Sequence, residues 1–173
     1  LSDDRALPLE GLVIAIDPGH IGGDYALIEE REHKWGDFTI REGSMTLQTA
    51  KILKPLLENL GASVTLVRSK LEPVTKNRAK DFANLVICLH FNGSGSKIPV
   101  ADQHFHIILN GTYTAGELAH EDERFEMLQR LLSGTITEEI PLAREIAAAF
   151  NQSVKLPAYR YPASSRTSQK IAN

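Results

Sequence analysis

A short apolar run that stops abruptly at a turn constrains the fold of this chain more than any other feature. Residues 12–16 are all apolar, and the turn residues Asp17, Pro18 and Gly19 follow at once, before His20. A run of this length bounded by turn residues predicts a β-strand buried on both faces, as in the parallel sheets of α/β proteins. His20 would then lie just beyond the carboxyl end of the strand, at the edge where open α/β sheets bind ligands.

A second apolar run repeats this arrangement. Residues 85–89 are apolar and lead directly into His90. If the two predicted strands are parallel, the side chains of His20 and His90 emerge at the same edge of the sheet. Two neutral imidazoles that converge on one point are typical of zinc sites, so the pair predicts a metal centre.

A long helix is predicted between these two strands. Over residues 42–60 the apolar positions recur at steps of three and four, and Gly61 stands where a left-handed cap is expected. Pro55 is expected to kink or split this helix. Glu42 opens it at the same sheet edge and is the candidate for a third ligand. First-turn glutamates also suit the helix dipole without any metal, so the prediction depends on all three side chains meeting.

The rest of the pattern completes an α/β prediction. Further strands are predicted at residues 62–67 and 103–109, and further helices at residues 121–132 and 138–150, the last capped by Thr137. This order of elements predicts a single three-layer domain with a mostly parallel or mixed central sheet flanked by helices. Residues 21–41 are predicted to form a long, irregular, charged loop, either a solvated flap or a wall of the substrate site.

Composition narrows the function classes. The net charge is −3 and the pI is near 6.1, and the sequence shows no sign of the basic face that nucleic-acid-binding proteins carry. No apolar run approaches the roughly 20 residues of a membrane span. The lone cysteine, Cys88, cannot form an intramolecular disulfide and is expected to be a small buried hydrophobe. A nucleophilic thiol with His90 as its base is the alternative, because residues i and i+2 of a strand share a face.

Four segments together resemble the zinc-dependent N-acetylmuramoyl-L-alanine amidase family. They are residues 14–20, Glu42 with Leu47 five positions on, residues 61–68, and residues 85–92. The resemblance covers roughly residues 12 to 110 of the chain. It implies that His20, Glu42 and His90 bind one Zn²⁺ ion, and that the substrate is the amide joining N-acetylmuramic acid to L-alanine in peptidoglycan. It also implies a location outside the cytoplasm; a monomer is expected.

The chemistry implied by this ligand set is metal-assisted hydrolysis. Two histidines and one glutamate leave a fourth position open for water, and a second carboxylate is then needed as general base. Similar amidases carry that glutamate on a late strand, and no glutamate of this sequence follows one. We therefore expect residues 1–173 to be a single zinc amidase-like catalytic domain that is incomplete at its C-terminus, with loss of the base as the alternative.

Three further residues are candidates for contact with substrate. Asn92 follows the second histidine, as in the family, and either orients a loop or binds substrate. His104 and His106 share a face of their predicted strand and are candidates for substrate contacts or for a second metal pair. Two other functions stay open: a zinc hydrolase of another amide or peptide bond, and an inactive domain that binds metal or cell wall.

Overall fold

A computed structural model of the chain describes residues 6–73, 82–91, 103–109 and 116–158. It divides into two compact units, Leu1–Gly95 and Ser96–Asn173. Each unit is described by itself. Asn92 and the rest of the segment 92–102 lie outside the described residues.

A parallel three-stranded sheet forms the centre of the first unit. Its strands are β1 (Val13–Pro18), β4 (Ser63–Leu66) and β5 (Leu85–Leu89), and β1 lies in the middle. In the register, Ile16 lies between Leu66 of β4 and Ile87 of β5. The predicted α/β class with a mostly parallel sheet is confirmed, and β1 and β5 end side by side as the two histidine motifs required.

Helix α1 (Glu42–Asn59) packs against this sheet. Its Ala50 is fully buried with Ile14 and Ile16 of β1, and the leucine stripe of the helix continues this core. Gly61 has φ 102°, so the predicted left-handed cap is confirmed. The helix runs through Pro55 without a break, so the predicted split is wrong. Pro55 lies on the exposed side of the helix, where water can bond to the carbonyl group that proline leaves without a donor.

The segment between His20 and α1 is not the wholly irregular loop that we predicted. A 3-10 helix (Gly23–Ala26) is followed by an antiparallel hairpin of β2 (Glu32–Trp35) and β3 (Phe38–Arg41). Gly36 in the two-residue turn has φ 57°, a conformation that tight hairpins need and glycine adopts freely. The abundance of charged residues concealed this turn signal in the sequence.

Strand β5 is buried on one face only, which corrects the prediction for both the strand and its cysteine. Leu85, Ile87 and Leu89 pack against the core, whereas Val86 is 39% exposed and Cys88 is exposed. The side chains of a strand alternate between the faces of a sheet, and α1 packs on the face that carries the three leucine and isoleucine side chains. The continuous apolar run therefore led to a wrong prediction that both faces of β5 are buried.

The second unit contains two helices joined at one glycine. They are α2 (Glu121–Ser133) and α3 (Thr135–Val154), and Gly134 between them has φ 67°. Thr137 lies inside α3 and donates its backbone N–H to Gly134 O at 2.9 Å, so the predicted Thr137 cap is wrong: the glycine begins the helix earlier. Arg130 Nη2 and Glu139 Oε2, 2.6 Å apart, tie the two helices together.

The predicted strand at residues 103–109 is reduced to a single bridge. Phe105 pairs with Ala158 in parallel, and its ring lies 5.1 Å from that of Phe150 on α3. Among the described residues no helix combines the length and apolar character that crossing a membrane requires.

Candidate metal centre

The turn that ends β1 carries the first candidate ligand, His20. Gly19 donates its N–H to Leu89 O at 2.9 Å, which ties the end of β1 to the end of β5. His20 follows with φ 59°. A residue other than glycine in this left-handed region costs on the order of 1–3 kcal/mol, and such strain is concentrated at functional sites.

Two buried side chains hold the carbonyl groups of this turn. Thr46 of α1 is fully buried, and its Oγ1 donates to Gly19 O at 2.6 Å. Arg68, only 4% exposed, donates from Nη2 to Pro18 O at 3.2 Å and to Gly43 O at 3.0 Å. The ends of β1 and α1 are thus joined by hydrogen bonds to charged and hydroxyl donors, which leaves little freedom to either.

The environment of Arg68 has opposing electrostatic effects. Burial lowers the pKa of its guanidinium group, and the negative charges of Glu29 and Asp17 act in the opposite direction. Arginine has such a high ordinary pKa that it stays charged. A permanent cation therefore lies beneath the turn that presents His20.

His20, Glu42 and His90 meet at the carboxyl edge of the sheet, as the sequence predicted. Glu42 Oε2 lies 3.5 Å from His20 Nε2, and Glu42 Oε1 lies 3.3 Å from His90 Nδ1. The centroids of the two imidazole rings are 5.2 Å apart, and the ring planes are nearly perpendicular. One ligand atom from each residue lies within 4.8 Å of the other two, so the three side chains form one cluster.

The spacing of this cluster fits a metal ion of the size and preference of zinc. Ligand atoms about 2.0–2.1 Å from a tetrahedral zinc ion lie roughly 3.3 Å from one another. Glu42 Oε1 has this spacing to His90 and Glu42 Oε2 nearly has it to His20, and one ligand atom from each of the three residues lies within 4.8 Å of the other two. Imidazole nitrogen and carboxylate oxygen are both ordinary zinc ligands, and two histidines with one glutamate occur in catalytic zinc sites. The residues present therefore fit the ion.

Glu42 is the fixed member of the cluster. Its side chain is 14% exposed, against 54% for His90, and its Oε1 also accepts the N–H of Phe91 at 3.0 Å. Helix α1 begins at Glu42, where the helix dipole favours a negative charge. Its carboxylate therefore links the start of α1 to the end of β5.

Two charged residues of the segment before the hairpin also contact the cluster, and sequence analysis missed both. Arg31 Nε donates to His20 Nε2 at 3.3 Å and lies 3.8 Å from Glu42 Oε2. Glu29 Oε1 lies 3.6 Å from His20 Nδ1. Nothing in a run of consecutive charged residues distinguishes these two from their solvated neighbours, so only the fold identifies them.

Of the remaining predicted site residues, Asn92 lies outside the described residues, and the two histidines lie in the other compact unit. His104 and His106 belong to the second unit and flank Phe105, whose ring contacts that of Phe150 on α3. Burial lowers the pKa of His106, and the charge of His104 lowers it further. Their role as substrate contacts, like that of Asn92, stays a prediction.

Comparison with known proteins gives the family. The model of a family described as N-acetylmuramoyl-L-alanine amidase matches residues 14–168 of this chain. The chain belongs to that family. The matched region contains the turn before His20, the start of α1 and the end of β5, so all three cluster residues of this amidase-family chain lie within it.

A curated relative supports the same assignment. The chain is 35% identical over 86 residues to "Probable cell wall amidase LytH" of Staphylococcus saprophyticus. The match covers 50% of this chain and 28% of the relative, so the chain corresponds to a minor part of that protein's length. No solved structure matches the chain.

Proposed function

We propose that this chain is the metal-binding part of a zinc-dependent N-acetylmuramoyl-L-alanine amidase. Its reaction is hydrolysis of the amide between N-acetylmuramic acid and L-alanine in peptidoglycan. The observation that carries the proposal is the convergence of His20, Glu42 and His90, with spacings of 3.3 and 3.5 Å, in a chain of the amidase family. Membership of the family suggests the reaction, and the three clustered side chains suggest how the chain would bind the metal ion that the reaction needs.

The residues around the cluster would have different roles in such a site. The imidazole nitrogens of His20 and His90 and the carboxylate of Glu42 would hold the zinc ion. A bound zinc ion supplies Lewis-acid chemistry, polarising a carbonyl group and making water more acidic. Arg31 lies beside His20 and Glu42. Its guanidinium group would donate hydrogen bonds to the substrate carbonyl oxygen and stabilise the negative charge that develops there.

Location and assembly complete the proposal. Peptidoglycan lies outside the cytoplasm, so the protein would act there, and a monomer is sufficient because one unit, Leu1–Gly95, contains all three ligands. The staphylococcal relative is named as a probable cell wall amidase, which supports this location. The general base needed for hydrolysis is not assigned to any residue.

Product analysis tests the reaction. Purified muropeptides are incubated with the protein and zinc, and the products are separated and identified by mass. Free peptide stems with an N-terminal alanine are expected, and the variant with both His20→Ala and His90→Ala should release none. Cleavage within the peptide stem would support a different amide hydrolase, and binding of muropeptides without cleavage would support an inactive binding domain.

A further inference from the structure

We propose that Glu29 is a positioning residue that fixes the proton of His20 on Nδ1 and so leaves Nε2 free to bind the metal. The inference rests on the metal centre proposed above. It assigns a role to a residue of a segment that the sequence predicted to be an irregular charged loop.

Glu29 is anchored by one of its two carboxylate oxygens. Oε2 accepts the N–H of Ile21 at 2.7 Å and that of Gly22 at 3.4 Å. These two amides follow His20 directly, so the carboxylate also stabilises the turn after the left-handed His20. The side chain is 22% exposed, and its contacts restrict its orientation.

The other oxygen faces the imidazole. Oε1 lies 3.6 Å from His20 Nδ1, slightly longer than a hydrogen bond. A hydrogen bond between the two atoms would need a small rotation of the ring. Because Oε2 is held by the backbone after His20 and Oε1 faces the imidazole, Glu29 is better suited to positioning than to general-base catalysis.

The opposite edge of the ring gives an independent indication of the same tautomer. Arg31 Nε donates to His20 Nε2 at 3.3 Å. A guanidinium group has no acceptor, so this contact fits a neutral ring with its lone pair on Nε2 and its proton on Nδ1. A bound metal ion would take the place of Arg31 at Nε2. Nε2 is also the atom that lies 3.5 Å from Glu42 Oε2, inside the ligand cluster.

This tautomer is the one that a metal ion at the cluster requires. A metal-binding histidine commonly donates its other N–H to a carboxylate, which orients the ring and makes the ligand nitrogen more basic. Loss of such a partner weakens metal binding by roughly 10- to 100-fold.

Glu29→Gln separates the two roles of the carboxylate. The amide has one acceptor oxygen, and keeping the short bond to the Ile21 N–H turns its NH₂ group toward His20 Nδ1. That nitrogen must then accept, which moves the ring proton to Nε2 and blocks the ligand atom. Glu30→Gln is the matched control, because it removes the same charge from the adjacent, exposed residue.

The experiment has two readouts on the unaltered protein and both variants. Long-range ¹H–¹⁵N correlation spectra of the metal-free proteins, at a pH where the ring is neutral, report the tautomer of His20. Titration with zinc against a competing chelator gives the affinity. We expect the Nδ1–H form in the unaltered protein and in Glu30→Gln, and the Nε2–H form with roughly 10- to 100-fold weaker zinc binding in Glu29→Gln.

The two readouts distinguish failure of the inference about Glu29 from failure of the proposed metal centre. An Nε2–H ring in the unaltered protein overturns the inference even if Glu29→Gln does not fold. Equal zinc affinity in Glu29→Gln and Glu30→Gln overturns it as well, while the metal centre stands. If none of the proteins binds zinc, the proposed metal centre fails and the metal-preparing role of Glu29 fails with it, whereas the spectra still decide whether Glu29 sets the tautomer.

Discussion

Gly19 lies so close to His90 that a Cβ atom on Gly19 would be 2.3 Å from Cε1 of the imidazole ring. Carbon atoms do not approach to this distance, so any side chain at position 19 must displace the ring. The glycine that follows β1 therefore limits where the side chain of His90, after β5, can lie.

Gly19→Ala should weaken zinc binding by roughly tenfold or more, because it displaces the ring of His90 and so disturbs its orientation in the proposed site. The measurement is zinc affinity by competition with a chelator. Gly36→Ala is the control: it places a side chain at positive φ in open space in the hairpin turn and should lower stability without changing zinc affinity. Equal affinities in the two variants would show that His90 does not depend on this close approach.

Thr46→Val should destabilise the protein by about 1–3 kcal/mol, because it leaves the carbonyl oxygen of Gly19 without its donor. The same change should weaken zinc binding by loosening the turn before His20. Thr46→Ser keeps the hydroxyl group and loses one buried methyl group, at about 1 kcal/mol, and should keep zinc affinity. Urea denaturation and zinc titration measure the two effects, and weakened zinc binding in Thr46→Ser would contradict this account of the hydroxyl group.

Arg68→Met should lower the free energy of unfolding by more than about 3 kcal/mol, since charge-assisted hydrogen bonds contribute about 1.5–3 kcal/mol each. Arg68 donates to three backbone oxygens, those of Pro18, Gly43 and Lys70. Lys51→Met removes the same charge from an exposed position of α1 and should have little effect. Comparable losses in the two variants, measured by chemical denaturation, would contradict a structural role for Arg68.

The pKa of His106 should lie below its ordinary value of about 6.5, because burial and then the charge of His104 disfavour protonation. His104→Gln should raise that pKa only in part, since burial is the larger cause. A depressed pKa in the folded state means that the unfolded state binds the proton first. Stability should therefore fall as the pH drops through about 6.5 and level off below the folded pKa. NMR titration of His106 gives the pKa, and a value unchanged by His104→Gln would show that the two imidazoles do not interact.

The sequence was sufficient to predict the sheet edge and the three side chains that meet there. Two apolar runs that end in histidine specify the strands, and the start of the helical pattern places Glu42. The sequence did not reveal the hairpin before α1, because the charged residues of that segment hide a two-residue glycine turn. Glu29 and Arg31 were missed for the same reason: their roles depend on which way the hairpin segment returns over His20. The exposure of Cys88 was missed because one-sided burial of β5 depends on where α1 packs.

Zinc content is the most direct test of the metal centre. The unaltered protein and the variant with both His20→Ala and His90→Ala are saturated with zinc, freed of loosely bound metal and measured by elemental analysis. The account predicts about one zinc ion per chain in the first and almost none in the second, with both folded by circular dichroism. Equal zinc in the two proteins would contradict the assignment of His20 and His90 as ligands.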